Sequence, residues 1–82
     1  MAKYDPLKTY LAECRKQEVT LSFTALEQIL GASLPRSARI HSAWWGNEVQ
    51  GAHVQSKSWL VAGYKVSLVR LSEGSVPFRR VS

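Results

Sequence analysis

Cysteine, acidic residues and long apolar runs are scarce in this sequence of 82 residues. Its single cysteine, Cys14, excludes an internal disulfide and any zinc site built from several cysteines. Cys14 lies on the apolar side of a predicted helix, which indicates a small core residue. No apolar run approaches the roughly 18 residues of a membrane-spanning helix, and the first residues lack the apolar segment of a signal peptide. We therefore expect a cytoplasmic protein with no membrane partner.

Groups that support catalysis are also scarce. The two histidines, His41 and His53, are twelve positions apart and have no Cys or Asp neighbours at the spacing of metal ligands. The six acidic residues are scattered, and no nucleophile with an adjacent base is evident. A glycine-rich phosphate loop is missing as well. The sequence predicts a protein that is not an enzyme and that uses no metal or other cofactor.

The shortage of acidic residues leaves a net charge of +5, which is unevenly distributed. Residues 1–34 carry four basic and four acidic groups, whereas residues 35–82 carry seven basic and two acidic groups. The whole excess therefore belongs to the later part of the chain, as a phosphate-facing surface requires. The alternative is that many small soluble proteins are basic without having an anionic partner.

Apolar residues recur at helical spacing in three segments. The predicted helices cover residues 6–17, 24–31 and 52–63. Asp5 is a favourable cap for the first helix, and either Thr24 or Ser22 can cap the second, which Gly31 ends. The third helix is less cleanly amphipathic, so either it packs on two sides or its outer valines contact something else. The residues predicted to be buried are Leu7, Leu11, Leu26, Ile29, Leu30, Trp59 and Leu60.

Short segments rich in β-branched and aromatic residues predict strands. These strands cover residues 19–23, 64–71 and 76–81, and a turn at 72–75 joins the last two into a hairpin. Pro77 has no backbone N–H to donate, so we expect the last strand to lie at an edge of the sheet.

The segment from Arg36 to Asn47 holds two of the three tryptophans, two arginines, one histidine and one asparagine. Ser37–Ile40 can form one helical turn, and Ser42–Trp45 is predicted to be extended. In a strand, Trp44 and Trp45 point to opposite faces, so one can enter the core while the other meets solvent or a partner. The alternative is that both are buried.

The predicted fold is α+β, a single domain over residues 1–82 in which three helices pack on a small antiparallel sheet with a C-terminal hairpin. The order of elements is also similar to that of winged helix-turn-helix domains, with Ala52–Gly63 as the recognition helix and Ser72–Ser75 as the wing tip. However, twenty residues separate Gly31 from Ala52, where a helix-turn-helix has about three or four. The similarity is therefore one of order.

The chain resembles a family of small, largely uncharacterised bacterial domains. The matching residues are Tyr4-Asp5-Pro6-Leu7, Tyr10-Leu11, Val19-Thr20-Leu21-Ser22-Phe23, Ile29-Leu30-Gly31, Leu34-Pro35, Ser37-Ala38-Arg39, His41, Ala43-Trp44-Trp45, Asn47, His53, Gln55, Trp59-Leu60, Ala62-Gly63 and Val66. This resemblance implies a compact stand-alone domain and little about chemistry. It singles out the polar residues Arg39, His41, Asn47, His53 and Gln55.

Nucleic-acid binding, with DNA favoured and a regulatory role, is the function that these patterns favour. It requires cations for phosphates, a rigid element, and amide or planar groups for bases. Arg36 and Arg39 suit phosphate or guanine, and the amides of Asn47 and Gln55 suit adenine. The predicted contact residues are Arg36, Arg39, His41, Trp45, Asn47, His53, Gln55, Lys57, Arg79 and Arg80.

A protein-interaction module, or an antitoxin-like accessory subunit, is the alternative function. Trp and Arg dominate the energetics of protein interfaces, so Arg36, Arg39 and Trp45 suit this function equally. The predicted edge strand 76–81 also offers pairing with a peptide or with a second copy in a homodimer. Salt dependence separates the alternatives, because phosphate binding weakens steeply with salt.

Overall fold

The computed structural model describes residues 3–47 and 54–81. In these ranges the elements are α1 (Asp5–Glu13), β1 (Glu18–Ser22), α2 (Phe23–Leu30), α3 (Arg36–Ile40), a 3-10 helix (Ser42–Trp45), α4 (Val54–Val61), β2 (Tyr64–Val66) and β3 (Ser75–Arg80). The predicted α+β class and C-terminal hairpin are confirmed, with α3 added to the three predicted helices. None of the helices in the described part is long and apolar enough to cross a bilayer.

Helix α1 ends at Glu13 rather than near residue 17, because the next residues are held against the sheet. Cys14 has an extended backbone with φ −78° and ψ 124°. The hydroxyl of Tyr64 lies 2.8 Å from the carbonyl oxygen of Cys14 and 2.7 Å from that of Lys16. Tyr64 is buried, and this burial raises the pKa of its hydroxyl, which remains a donor. Cys14 is consequently half-buried and lies outside the core that was predicted for it.

Helix α2 confirms the second of the two predicted caps. The backbone N–H of Ala25 donates to Ser22 Oγ at 3.0 Å, so Ser22 rather than Thr24 satisfies the free amide at the helix start. Gly31 ends the helix with φ 70°, a left-handed conformation that glycine adopts at little cost. The prediction for both ends of this helix therefore holds.

The three strands are ordered β1-β3-β2, so the last strand is central and the prediction of an edge strand is wrong. The N–H of Ser67 donates to the carbonyl of Pro77 at 2.9 Å, so the backbone of Pro77 faces the β2 side just beyond Val66, where β2 ends. Opposite Thr20 of β1, Pro77 occupies a position that exchanges no ladder hydrogen bonds. The missing N–H therefore removes no bond to β1 and falls beyond the last residue of β2, and the proposed dimerisation through 76–81 has no free edge to use.

One face of the sheet is covered by the helices and the other faces solvent. Side chains on the inner face, such as Val76 and Phe78, are fully buried, whereas Thr20, Lys65 and Arg79 on the outer face are exposed. The buried core consists of Leu7, Leu11, Leu21, Phe23, Leu26, Leu34, Ala38, Trp45, Trp59, Tyr64, Val66, Val76 and Phe78. Of the residues predicted to be buried, Leu7, Leu11, Leu26 and Trp59 are core residues, and Ile29, Leu30 and Leu60 are partly buried against it.

Helix α4 packs on two sides, which was one of the two predicted alternatives. Gln55, Ser56, Ser58 and Trp59 are all buried. Trp59 faces Phe78 of the sheet, with ring centroids 5.7 Å apart. The exposed part of the described helix is therefore a narrow stripe, and the first two residues of the predicted helix, 52 and 53, lie outside the described residues.

Candidate nucleic-acid interface

The tryptophan pair lies in the 3-10 helix instead of a strand. With about three residues per turn, neighbouring side chains do not point in opposite directions, and both rings can turn toward the protein. Trp45 is buried, and its indole N–H donates to the carbonyl of Ala38 at 2.7 Å. Its ring stacks 5.9 Å from Phe23 and 5.9 Å from Trp59. The assignment of Trp45 to a binding surface is therefore corrected, because its ring is a central part of the core.

Trp44 is the half-buried member of the pair. Its ring meets Trp45 edge-on at 4.6 Å and Tyr4 edge-on at 6.0 Å. Such edge-to-face arrangements are the favoured geometry of aromatic pairs. Trp44 thus connects Tyr4, the residue before α1, to the aromatic column of the core, which consists of Phe23, Trp45, Trp59 and Phe78.

The amide of Asn47 is used by the fold. Its Nδ2–H donates to the carbonyl of Val66 at 2.9 Å, and its Oδ1 accepts from the N–H of Val66 at 2.9 Å. The same Oδ1 accepts from the indole N–H of Trp59 at 3.0 Å. The side chain therefore pairs with the outer edge of β2 as a neighbouring strand would. These three bonds compete with any contact to adenine, so they disfavour the base-reading role of Asn47, which stays a prediction.

Gln55 is similarly committed. It is 6% exposed, and its Nε2–H donates to the carbonyl of Trp44 at 3.1 Å. Burial keeps its side chain away from the exposed surface, which disfavours the base-reading role of Gln55, and that role stays a prediction. His53, which was predicted beside it, lies outside the described residues.

Arg39 is held by neighbours on two sides. Its guanidinium pairs with the carboxylate of Glu27 and lies over the ring of Phe23, 5.5 Å from the centroid. The same Glu27 carboxylate oxygen, Oε2, also accepts a hydrogen bond from the backbone N–H of Leu34 at 2.8 Å. The hydrogen bond from Leu34, followed by that from Arg39, lowers the pKa of the Glu27 carboxyl. Arg39 therefore connects α2 to α3, and its charge is largely offset.

We expect this cluster to weaken in acid. The pKa of Glu27 is lower in the folded state than in the unfolded state. The ionised carboxylate therefore contributes its whole stabilising effect above the ordinary glutamate pKa of about 4.3, and this effect is lost as the pH falls through the pKa of the folded state. Glu27→Gln should reduce stability at neutral pH and flatten the acid limb of a thermal-melting profile measured between pH 3 and 7. The matched control is Glu13→Gln, an exposed substitution, which should leave the acid limb as it is in the wild type. An acid limb unchanged in Glu27→Gln would contradict the expectation.

The other predicted residues are distributed over several elements. Arg36 and His41 are exposed at the two ends of α3, and Lys57 is exposed on α4. Arg79 and Arg80 are exposed on β3, where Arg79 lies 3.9 Å from Glu18. These positions do not share one element.

Lys57 instead has two lysine neighbours that the sequence did not single out. A groove of about 340 Å³ lies between the start of α1 and the end of α4. The described residues that line it are Lys3, Tyr4, Asp5, Lys8, Lys57, Ser58 and Val61. Among these described residues, three lysines and one aspartate give a positive balance. Lys3 and Lys8 were not predicted as site residues because the charges of residues 1–34 sum to zero, although Lys8 lies off the apolar stripe of its helix.

A second groove, of about 420 Å³, lies on the outer face of the sheet and has a mixed charge. Glu18 and Glu73 line it together with Arg70, and Arg70 lies 3.7 Å from Glu73. Its charges therefore offset one another, in contrast to the lysine groove. Within residues 3–47 and 54–81, no three His, Cys, Asp or Glu side chains come together as metal ligands.

These features define a small α+β domain with a lysine-rimmed groove between its first and last helices. The chain belongs to the family described as Domain of unknown function (DUF7662), whose model matches residues 4–81. This agrees with the expected likeness to a family of small domains. No curated protein and no solved structure matches the chain.

Proposed function

We propose that this domain binds nucleic acid, DNA foremost, and that the groove between α1 and α4 is its phosphate-binding surface. The observation that supports this most is the convergence of Lys3, Lys8 and Lys57 around one groove. Lysine ammonium groups neutralise phosphates as point charges, and such contacts position a protein on nucleic acid without reading its sequence.

Charge pairing elsewhere favours this groove over the arginine surface expected from the sequence. Arg39, Arg70 and Arg79 each have a carboxylate oxygen within 4.0 Å, from Glu27, Glu73 and Glu18 respectively. Exposed pairs of this kind are weak, but a phosphate would have to compete with the carboxylate. Since the amides of Asn47 and Gln55 are committed to the fold, we propose binding with little base selectivity.

A winged-helix arrangement is the architectural part of the proposal. In its favour, the terminal hairpin of β2 and β3 is bonded to the strand before α2, and a turn at 71–74 precedes β3. Helix α4 would then be the counterpart of a recognition helix. Its described solvent-exposed side chains are Lys57 and Val61. These two side chains suit contact with the sugar-phosphate backbone better than insertion of the helix into the major groove of DNA.

The triple variant Lys3/Lys8/Lys57→Ala should bind mixed-sequence oligonucleotides about 10- to 100-fold more weakly at low salt, with a shallower dependence of affinity on salt. Its matched control is Arg15/Lys16/Lys65→Ala, which removes the same charge from exposed positions outside the groove and should bind nearly as the wild type does. Fluorescence anisotropy at two or more salt concentrations measures both effects, and circular dichroism checks folding. Equal losses in the two variants would mean that net charge, not the groove, is responsible.

The outer edge of β1 supports a protein-interaction module as the second candidate function. Backbone groups of Gln17 and Phe23 bond toward β3, so by alternation those of Thr20 face away from the sheet. The opposite edge, at Val66, is closed by Asn47. An edge with outward backbone groups is where a partner strand can add. If wild type and both triple variants all fail to bind oligonucleotides, this candidate takes precedence.

A further inference from the structure

We infer that the α1–α4 groove accommodates one unpaired nucleobase, whose flanking phosphates contact Lys3, Lys8 and Lys57, so that the domain prefers single-stranded nucleic acid to duplex. This inference rests on the proposed function and adds the chemical class of the group that enters the groove. The charge and the apolar surface of the groove support it separately.

Two of the lining residues carry apolar side-chain surface: Val61, which is largely exposed, and Tyr4, which is only 9% exposed. Val61 is 73% exposed and follows Lys57 by one helical turn, so it presents an apolar surface beside the charged group of Lys57. The described core does not include it. Tyr4 lines the same groove and is held edge-on against Trp44 at 6.0 Å. Lysine side chains also place their aliphatic stems along such surfaces while the ammonium stays in water.

A duplex would leave this apolar surface without a role. In a double helix the faces of the bases are stacked and the phosphates are outermost, so the three lysines alone would be in contact. An unpaired base offers a flat apolar face attached to a phosphate, which matches a groove with apolar walls and a cationic rim. The groove volume of about 340 Å³ is at the lower end of the roughly 300–1,000 Å³ typical of sites that bind small molecules.

Tyr4 also carries a hydroxyl, which is protonated across the physiological range because a tyrosine ionises near pH 10 and burial raises this pKa further. A neutral phenol can donate a hydrogen bond to a base edge or a phosphate without adding a negative charge beside the lysines. An acidic peptide would satisfy the lysines, but its carboxylates offer no flat apolar group to cover Val61.

The test compares three fluorescent probes of equal length: a mixed-sequence single strand, the same strand with abasic sugars in its central positions, and the duplex. Wild-type protein should bind the intact single strand about tenfold more tightly than the abasic strand, a difference of about 1.4 kcal/mol. It should also bind the single strand more tightly than the duplex. Polyglutamate, added as a competitor, should displace the bound single strand less efficiently than an unlabelled single strand of equal charge does.

Val61→Ser is the variant that isolates the apolar contact, and Leu68→Ser, at a residue that is 76% exposed and outside this groove, is its control. Val61→Ser should lose most of the preference for the intact over the abasic strand, and Leu68→Ser should keep it. Equal binding of intact and abasic strands by the wild type, or tighter binding of duplex, would overturn the inference while leaving nucleic-acid binding in place. Loss of all oligonucleotide binding would overturn the proposed function as well, and efficient displacement by polyglutamate would point to an acidic peptide instead.

Discussion

Trp59→Ala should lower the free energy of unfolding by about 3–5 kcal/mol, which is the usual cost of removing a buried tryptophan. Trp59 is fully buried and contacts Trp45 on one side and Phe78 on the other. A small domain has a total stability of about 5–15 kcal/mol, so this variant should melt far below the wild type or fail to fold. Urea denaturation followed by circular dichroism measures the change.

A second substitution keeps this prediction testable if the alanine variant does not fold. Trp59→Phe retains an aromatic ring in the column but removes the indole N–H that donates to Asn47, so its loss of stability should be clearly smaller. Val61→Ala on the same helix is the control, because Val61 is largely exposed and should change stability by less than about 0.5 kcal/mol. Wild-type stability in Trp59→Ala would contradict the assignment of Trp59 to the core.

Local signals in the sequence predict much of the fold. Ser22 and Gly31 mark the ends of α2 because capping and left-handed backbone are requirements of a few neighbouring residues. The apolar side of α1 is likewise a local pattern, and it correctly predicts Leu7 and Leu11 as core residues. These requirements do not depend on which elements lie next to one another.

Strand order was not predictable by the same means. The rule that proline belongs at an edge depends on which side its nitrogen faces, and a sequence does not reveal this. In this domain the nitrogen of Pro77 faces the β2 side beyond the end of that strand, so proline is accepted in the central strand. The prediction of an extended conformation for Trp44 and Trp45 was wrong for a related reason. Trp45 lies in the core and Trp44 packs against it, so both rings turn toward the same side of the chain.

The candidate site was only partly predictable, because it depends on contacts between distant segments. Lys57 was recognised from the charge of the later part of the chain, but Lys3 and Lys8 join it only through the packing of α1 on α4. Conversely, Glu18 and Glu27 from the balanced early part lie beside arginines from the later part. Charge counted along the chain therefore differs from charge on each face of the domain.

Asn47→Ala should lower the free energy of unfolding by about 2–3 kcal/mol, without changing which bases the protein prefers. The substitution leaves the N–H and the carbonyl of Val66, and the indole N–H of Trp59, without their partner. An unsatisfied buried group costs about 1–3 kcal/mol, and water can replace part of the loss because Asn47 is at the surface. Denaturation and oligonucleotide binding, measured on the same preparations, test both parts.

Asn47→Asp separates the two directions of hydrogen bonding. A carboxylate can still accept from Val66 and Trp59, but it cannot donate to the carbonyl of Val66, and its charge faces that oxygen. Its stability should therefore lie below that of the wild type even though both acceptor contacts remain. If Asn47→Ala were as stable as the wild type and lost discrimination between adenine-rich and guanine-rich strands, Asn47 would have the base-reading role that its sequence position first indicated. The three bonds of its amide favour the opposite result, in which stability falls and base preference does not change.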